Sequence, residues 1–336
     1  MHMKTELFDD QFIVITGATG LIGSHVVRCL NDQGYVNLLL VDDLNETDKW
    51  KNLHGKRFID LISRHEIFDF LDGRSKEVEA FIHLGACSDT TAAHGEYIME
   101  NNYRFSVRLA DYALTHEHRF IYASSAATYG DGSFGFEDDE EKINCLEPMN
   151  LYGVSKHLFD KWIKEQGVFD RVAGLKYFNI FGPNEAHKER MASMVFHMFN
   201  QIQTTGRVQL FRSSDPDKFA DGEQQRDFYY VKDAARLTCF LLDHDINGIF
   251  NVGSGKASTW NNLAEKVFSA LEKEPCIAYM PMPEDLIGSY QNYSCADRSK
   301  LNKELKKYGL TFEEQFTLES AIRDYVRNYL LPNKRA

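Results

Sequence analysis

A tyrosine and a lysine lie four positions apart in the segment Asn150-Leu-Tyr-Gly-Val-Ser-Lys156. On a helix this spacing places Tyr152 and Lys156 on one face. A tyrosine whose pKa is about 10 needs a downward shift of roughly three units to act as a base near neutral pH, and a fixed ammonium one turn away favours that shift. Ser125, after an earlier apolar run, adds a hydroxyl that could hold a substrate oxygen. These three side chains predict proton transfer at an alcohol or a ketone.

Three glycines follow the first apolar run of the chain in the pattern GxxGxxG, at Gly17, Gly20 and Gly23. In such a turn the first glycine permits a tight bend, the second a close approach to a diphosphate, and the third close packing of helix on strand. The helix N-terminus adds free N–H groups and partial positive charge. Strand-to-helix turns use glycine for other reasons too, but Asp42 ends the next apolar run, where a carboxylate can bind ribose hydroxyls. The segment therefore predicts dinucleotide binding.

The charged residues near Asp42 leave the choice between NAD and NADP open. Asp42 favours NAD, because its carboxylate would repel a 2′-phosphate. Lys49 and Arg64 could counter that repulsion by reaching the phosphate. Both are explained equally well as solvated surface cations.

The elements that must position these residues are short apolar runs alternating with amphipathic segments. Runs without polar alternation are typical of strands buried on both faces of a parallel sheet. The predicted strands of the first half are Phe12–Thr16, Val36–Val41, Phe81–Leu84, Phe120–Ala123 and Val172–Tyr177, with a helix from Leu21 to Gln33. We predict an α/β fold, a Rossmann-type doubly wound parallel sheet, with a smaller mixed α/β substrate-binding domain.

The second half mixes shorter predicted strands with predicted helices. The strands are placed at 208–211, 228–231, 249–252 and 276–280, and the helices at 192–204, 232–242, 260–271 and 313–330. We assign residues 11–182 to a dinucleotide-binding domain, to which residues 226–255 return. Residues 183–330 form mainly the substrate-binding domain, and the two are interleaved.

The composition is that of an ordinary globular protein and narrows the range of partners. The 336 residues carry a net charge of −12, with 43% hydrophobic and 26% charged residues. An acidic chain without a Lys/Arg cluster argues against nucleic acid and against an anionic membrane surface. The six cysteines are scattered singly, so neither a metal site nor a disulfide framework is predicted. With no membrane span and no secretory signal in view, we expect a cytoplasmic protein.

Four motifs in order along the chain resemble the extended short-chain dehydrogenase/reductase family of nucleotide-sugar enzymes. They are TGATGLIG from Thr16, YASSAATYG from Tyr122, YGVSK from Tyr152 and KYFNIFGP from Lys176. Three further segments are similar to one branch, the ADP-glyceromanno-heptose 6-epimerases. They are HLGACSDTT from His83, EAHKERMAS from Glu185 and QRDFYYV from Gln225. This second similarity runs over nearly the whole chain from Gln11.

The resemblance implies an isomerase that inverts carbon six of ADP-D-glycero-D-manno-heptose by transient oxidation with bound NADP, NAD being possible, for lipopolysaccharide core synthesis. It implies that Tyr152 and Lys188 are the two acid/base residues, that Lys156 tunes Tyr152, and that Ser125 holds the oxygen. It also implies a homo-oligomer, a pentamer, in the cytoplasm. From residue type alone, Lys188 is more simply a loop cation that binds a diphosphate.

The resemblance also implies two sets of binding residues. The cofactor set is Gly17, Gly20, Leu21, Ile22, Gly23, Asp42, Asp43, Lys49, Arg64, Leu84, Gly85, Ala86, Cys87, Ser88, Asn101 and Lys156. The substrate set is Asn179, His187, Arg190, His197, Phe211, Arg212, Ser213, Ser214, Arg226 and Tyr290. The chain departs from the family pattern in three places: GATGLIG from Gly17 stands where GGAGFIG is usual, Asp43 where Asn is usual, and Arg190 where a small residue is usual.

Other functions remain open at this point. A UDP-glucose 4-epimerase would leave Lys188 without a role, and a 4,6-dehydratase would need an acid pair where the chain has Ala126, Ala127 and Thr128. A catalytically silent NAD(P)-binding protein would have no need of an intact Ser125, Tyr152 and Lys156.

Overall fold

The apolar runs form strands close to where the sequence predicts them. The computed structural model describes residues 11–44, 47–88, 94–287 and 290–336. Within these residues the strands are β1 (Phe12–Thr16), β2 (Leu38–Val41), β3 (Asp60–Ile62), β4 (Val78–His83), β5 (Arg119–Ser125), β6 (Val172–Tyr177), β7 (Asn179–Phe181), β8 (Val208–Phe211), β9 (Gln225–Tyr230), β10 (Gly248–Val252), β11 (Ala257–Thr259) and β12 (Ile277–Met280).

The α-helices alternate with these strands through most of the described chain. They are α1 (Leu21–Asp32), α2 (Ile67–Leu71), α3 (Gly95–Ile98), α4 (Phe105–Thr115), α5 (Leu151–Gln166), α6 (Met194–Thr205), α7 (Val231–Leu242), α8 (Trp260–Ala270), α9 (Glu284–Ile287), α10 (Ser299–Lys307) and α11 (Leu318–Tyr325). Short 3-10 turns that bear on the site are Asp48–Leu53, Ala126–Tyr129 and Ala186–Met191.

The largest sheet in the described residues has seven strands in the order β10-β6-β5-β4-β1-β2-β3, and all its pairs are parallel. Both faces are covered. One carries α1 and α7, with Val26 and Leu237 in its core, and the other carries α4 and α5, with Leu109 and Phe159. Burial on both faces explains the unbroken apolar runs. The predicted doubly wound α/β fold is confirmed.

A second hydrophobic core holds the later elements together. It is built by α6, α8 and α11 with β8 and β9, and it includes Phe199, Phe268 and Ile322. Beside it lie a three-stranded sheet, β11-β9-β7, and a two-stranded sheet, β12-β8. Strand β10 nevertheless joins the large sheet next to β6. The domain boundaries given above stay a prediction.

Several elements differ from the sequence prediction, among them strands β3, β7 and β11, which were not predicted, and two helices. The helix predicted from Glu313 begins only at Leu318, because the N–H groups of Gln315 and Phe316 donate to the Asp233 carboxylate, which holds that stretch non-helical. Thr317 then caps the helix. Helix α10 was missed, since in a lysine-rich segment it buries only Leu301 and Leu305.

No helix in the described part of the chain has both the length and the apolar character needed to cross a membrane.

Candidate functional site

The glycine turn between β1 and α1 is packed too tightly for any side chain at two of its positions. Gly17 has φ +65°, and a Cβ there would lie 2.7 Å from the backbone of Gly85. A Cβ on Gly23 would lie 2.1 Å from the Gly17 carbonyl oxygen. The turn can therefore bring bare backbone and the N-terminus of α1 against a ligand, as a diphosphate requires.

Asp42 and Asp43, at the end of β2, are both paired with the cations that the sequence placed nearby. The Asp42 carboxylate accepts hydrogen bonds from Thr19 N (2.9 Å), Thr19 Oγ1 (2.5 Å) and Lys49 Nζ (2.7 Å). Asp43 accepts from Ser63 Oγ at 2.9 Å and from the Arg64 guanidinium. Burial opposes ionisation of Asp43, yet these bonds hold its pKa below the usual value. The two carboxylates therefore do not stand as bare negative charges.

Arg64 joins Asp43 to Asn101, which is another residue of the predicted cofactor set. Its guanidinium donates to Asn101 Oδ1 and lies 5.4 Å from the centre of the Tyr97 ring. Asp43, Arg64 and Tyr97 border a cavity of about 520 Å³ that is lined also by Ser63. A space bordered by a ring, a guanidinium and carboxylates suits the adenosine end of a dinucleotide.

Ser125, Tyr152 and Lys156 are brought together by the end of β5 and the first turns of α5. Helix α5 begins after Asn150, whose side chain accepts a hydrogen bond from Gly153 N at 2.8 Å. A Cβ on Gly153 would lie 2.8 Å from the backbone oxygen of Ala127, so the helix approaches the strand end closely. The side chains of Tyr152 and Ser125 are hydrogen bonded.

The pKa values of this group are set mainly by burial. Burial raises the pKa of Tyr152, and the hydrogen bond with Ser125 only partly offsets it. This direction is opposite to the depression expected from Lys156. Burial also lowers the pKa of Lys156 to about 8, despite the opposing effect of Asp160. In the described residues the Lys156 ammonium has no hydrogen-bond partner. Lys156 is therefore less able to stabilise the phenolate than the sequence suggested.

Lys188 reaches the same place from the 3-10 turn Ala186–Met191, which follows β7. Burial lowers the pKa of Lys188, and the nearby Glu185 carboxylate opposes that effect. The neighbouring His187 has its pKa lowered to about 4, by burial first and then by Lys188. At neutral pH His187 is therefore uncharged.

One cavity of about 860 Å³ runs along all these groups. It is lined by the predicted cofactor and catalytic residues, namely Gly17, Gly20, Leu21, Ile22, Gly23, Asp42, Asp43, Lys49, Arg64, Leu84, Gly85, Ala86, Cys87, Ser88, Asn101, Ser125, Tyr152, Lys156 and Lys188. Three of the predicted substrate residues also line this cavity, namely Asn179, His187 and Arg190. The geometry thus brings a dinucleotide turn and two candidate acid/base residues into one space.

The other predicted substrate residues lie outside the lining of this cavity. Arg226 is stacked between two rings, 5.7 Å from the centre of Trp260 and 5.1 Å from that of Tyr290. Trp260 Nε1 donates to the Tyr290 hydroxyl at 2.8 Å, and Trp260 itself lines the cavity. Arg226 and Tyr290 therefore contact Trp260, a residue of the cavity wall, without being in the wall themselves. The residues not brought to it in this way are His197, Phe211, Arg212, Ser213 and Ser214.

Sequence reasoning missed several residues of the site. Thr19 fills a variable position of the GxxGxxG pattern, where nothing marks it as the partner of Asp42. Trp260 follows Thr259, which caps α8, and a lone tryptophan at a helix start carries no specific signal. Tyr97 and Glu185 contribute through tertiary contacts alone.

The residues present fit a nicotinamide dinucleotide. The glycine cradle admits a close diphosphate, and the Lys156 side chain, 2% exposed, lines the cavity with no hydrogen-bond partner for its ammonium in the part of the chain that the structure describes. A ribose hydroxyl is a suitable acceptor for such an ammonium.

Comparison with known proteins gives a family match, a close sequence relative and two similar solved structures. The model of the NAD dependent epimerase/dehydratase family matches residues 13–253. The ADP-L-glycero-D-manno-heptose-6-epimerase of Nitratidesulfovibrio vulgaris is 45% identical over 94% of this chain and 97% of its own. Among solved structures, the Helicobacter pylori ADP-L-glycero-D-manno-heptose-6-epimerase has a TM-score of 0.77 at 26% identity, over 95% of this chain and 96% of that one. A UDP-N-acetylglucosamine 4-epimerase from Methanobrevibacter ruminantium has a TM-score of 0.80 at 25% identity, over 97% and 100%.

Proposed function

Because this chain belongs to the NAD-dependent epimerase/dehydratase family, we propose that it converts ADP-D-glycero-D-manno-heptose to ADP-L-glycero-D-manno-heptose by inverting carbon six. The 45% identical relative carries the name of that activity, which confirms the resemblance drawn from the sequence motifs. The observation that carries the proposal is the presence of Tyr152 and Lys188, from two different elements, in the cavity that holds the glycine turn.

Two acid/base residues are what inversion at a carbinol carbon needs. A bound nicotinamide dinucleotide would supply reversible hydride acceptance at carbon six. With the dinucleotide bound, one of Tyr152 and Lys188 would take the proton of the carbon-six hydroxyl as that carbon is oxidised to a ketone. The other residue would return a proton to the same oxygen when the carbon is reduced on its opposite face. The Ser125 hydroxyl, bonded to Tyr152, holds that oxygen. The sum is an isomerisation with no net redox change.

The alternative of a UDP-glucose 4-epimerase is less well supported. It shares the fold and the Ser125, Tyr152 and Lys156 group, but it gives Lys188 nothing to do. Lys188 lines the cavity, and burial lowers its pKa. Burying a lysine side chain costs free energy unless its ammonium binds or reacts.

The reaction is tested by incubating the protein with ADP-D-glycero-D-manno-heptose and following the carbon-six configuration by NMR. We expect conversion to a mixture of both epimers. Tyr152→Phe and Lys188→Met should each lose most turnover while still binding the dinucleotide, measured by fluorescence titration. Lys303→Met, at an exposed position on α10, is the matched control and should keep full activity. Turnover of UDP-glucose with no change in the heptose would overturn the proposal.

We further propose that the cofactor is NADP rather than NAD. The support is local: Lys49 and Arg64 neutralise Asp42 and Asp43, so a 2′-phosphate would not meet two bare carboxylates. Arg64→Ala should weaken NADP binding about tenfold or more, as the loss of a charged hydrogen bond does, and change NAD binding much less. Lys51→Ala serves as control, because Lys51 is a half-buried lysine on the same 3-10 turn as Lys49 and pairs with Asp48 instead. If Arg64→Ala weakens the binding of NADP and of NAD equally, the proposal that NADP is the cofactor is contradicted.

From the family we also carry over a cytoplasmic homo-oligomer, a pentamer. Light scattering on the purified protein gives the mass directly, and a monomer would contradict this expectation.

A further inference from the structure

The loop between β7 and α6 carries His187, Lys188 and Arg190, and one buried carboxylate joins its two ends. Glu185 is fully buried, with 0% of its surface exposed. Its carboxylate accepts hydrogen bonds from Ser193 N at 2.6 Å and from Ser193 Oγ at 2.7 Å, at the far end of the loop. It also accepts a longer bond, 3.4 Å, from Gly182 N at the near end. A single side chain therefore closes the loop from within.

The middle of the loop is built on the same residue. Lys188 N donates to the backbone oxygen of Glu185 at 2.9 Å, which sets the 3-10 turn. Glu189, the next residue, has φ +47° and ψ −118°, a conformation that residues other than glycine rarely adopt. The Tyr325 side chain is hydrogen bonded to Glu185 from α11. Such a conformation persists only where the surroundings enforce it, and Glu185 provides that enforcement.

The loop is also fastened to the dinucleotide turn. The buried Asn52 side chain donates to Asn184 O at 3.0 Å and to Thr19 O at 2.8 Å, which joins the two segments through one amide. Asn184 in turn donates to Ser24 Oγ at 3.0 Å, on α1. The loop that carries Lys188 is therefore hydrogen bonded to the glycine turn and α1 as well as within itself.

We propose that Glu185 is a positioning residue that fixes the Lys188 ammonium in the cavity and keeps it protonatable. The proposal deepens the function given above, because it takes Lys188 to be the second acid/base residue. The hydrogen bonds of Glu185 to Ser193 and Gly182 fix the conformation of the loop that carries Lys188. Charge supplies the rest, since the Glu185 carboxylate opposes the lowering of the Lys188 pKa by burial.

The other charged or titratable groups around Lys188 do not replace Glu185. His187, beside it in the loop, is uncharged at neutral pH, its pKa being lowered by burial and then by Lys188 and Lys49. Tyr152 borders the same cavity and its pKa is raised, so it too is uncharged. Lys49 is already paired with a carboxylate. Glu189 and Arg190, which flank Lys188 in the loop, are exposed, and Glu185 is the carboxylate that opposes the effect of burial on the Lys188 pKa.

The test measures the titration of Lys188 directly. The protein is labelled with an amine-reactive reagent over a range of pH, and the modified peptide is quantified by mass spectrometry. Glu185→Gln should lower the Lys188 midpoint by about one pH unit, the effect of removing a neighbouring opposite charge. The kcat for heptose epimerisation should fall about 10- to 100-fold, the loss expected from a displaced reactive group, with KM less affected. Glu185→Asp keeps the charge but shortens the side chain, so the midpoint should return toward the wild-type value while kcat stays reduced.

Asp233→Asn is the matched control. Asp233 is also a buried carboxylate that accepts backbone N–H bonds, from Gln315 and Phe316, but it lies outside the cavity lining. It should lower thermal stability and leave the Lys188 midpoint unchanged. A wild-type midpoint in Glu185→Gln, with or without loss of activity, overturns the proposal. Because labelling needs no turnover, the proposal can hold even if the wild-type protein fails to epimerise the heptose, and that failure would count against the proposed function alone.

Discussion

Two buried lysines near the centre of the molecule differ in one respect, their partners. Lys176, on β6, donates to Asp160 Oδ2 at 2.8 Å and to Thr128 Oγ1 at 2.6 Å, and its ammonium lies 4.9 Å from the centre of the Tyr129 ring. Lys156, on α5, is 2% exposed and has no hydrogen-bond partner among the described residues. The first lysine is satisfied inside the protein, whereas the second faces a cavity.

The difference separates a structural group from a functional one. A buried charge that lacks a partner is unfavourable, and burial therefore lowers the pKa of Lys156 to about 8. A sequence selected for stability alone would not keep such a lysine. Its retention at the wall of a cavity indicates that a ligand supplies the missing acceptor. Lys176 needs no ligand, because Asp160 and Thr128 already supply its acceptors.

The largest expected effect comes from Lys156→Met. Removal of the unpartnered ammonium should reduce kcat by about 10²- to 10⁴-fold, the range for residues that assist proton transfer. The ligand-free protein should nevertheless gain about 1–3 kcal/mol in free energy of unfolding, because a buried charge without a partner is lost. Urea unfolding and the NMR assay measure the two quantities. Lys161→Met on the same helix is the control and should change neither by much. A loss of stability in Lys156→Met would contradict the contrast.

The mirror image is Lys176→Met. It leaves Asp160 as a buried carboxylate without its counter-ion, and breaking a buried pair in this way typically costs about 3–5 kcal/mol. Urea unfolding should show that loss. Adding Asp160→Asn removes the remaining charge, so the double variant should recover part of the stability. A loss below about 1 kcal/mol in the single variant would mean that the pair is not the structural anchor described here.

The elements that carry these two lysines were largely predictable from sequence. The predicted strand Val172–Tyr177 has the bounds found in the structure, because a strand buried on both faces is mostly apolar, here with Lys176 as the charged exception. The glycine turn and the Tyr152–Lys156 pair were predictable for a related reason. Their chemistry depends on spacing along the chain, and spacing is visible in a sequence.

The partners of the lysines were not predictable. Asp160 lies one helical turn beyond Lys156, yet it bonds to Lys176 on a neighbouring strand, and only the packing of α5 on the sheet decides this. The raised pKa of Tyr152 was not predictable for the same reason, since it comes mainly from burial in the folded chain; the depression expected from Lys156 together with a bound nicotinamide ring stays a prediction. Glu185 and Ser193 likewise meet only because the loop folds back on itself. Contacts and burial that arise only from tertiary packing do not follow a spacing that can be recognised in the sequence.

The pH dependence of stability should distinguish the two lysines. Lys156 titrates near 8 when folded and near 10.5 when unfolded, so between these values the unfolded state binds more protons. The free energy of unfolding contributed by Lys156 therefore rises with pH across this window, by about 3 kcal/mol in total. The gain in stability of Lys156→Met over wild type should shrink accordingly from pH 8 to pH 10.5. A constant difference across that range, measured by urea unfolding, would show that Lys156 is not destabilised by burial.

The smallest expected effect lies where the two regions meet, at Thr128. Its hydroxyl accepts from Lys176 and donates to the backbone oxygen of Ser125 at 2.7 Å, so it connects the satisfied pair to the reactive group. Thr128→Val removes both bonds without changing the side-chain shape and should cost about 1–2 kcal/mol of stability. Thr128→Ser keeps the hydroxyl and is the control.

If the anchor and the reactive group have separate tasks, kcat in Thr128→Val should fall far less than in Ser125→Ala, because the Ser125 hydroxyl still reaches Tyr152. The two variants are compared in the same NMR assay at a temperature where both remain folded. An equal loss of kcat would show that the hydrogen bonds around Lys176 contribute directly to the reaction, and the division between the two lysines would then fail. The Thr128 hydroxyl therefore tests the contrast between Lys176 and Lys156, because it is bonded both to Lys176 and to the backbone of Ser125.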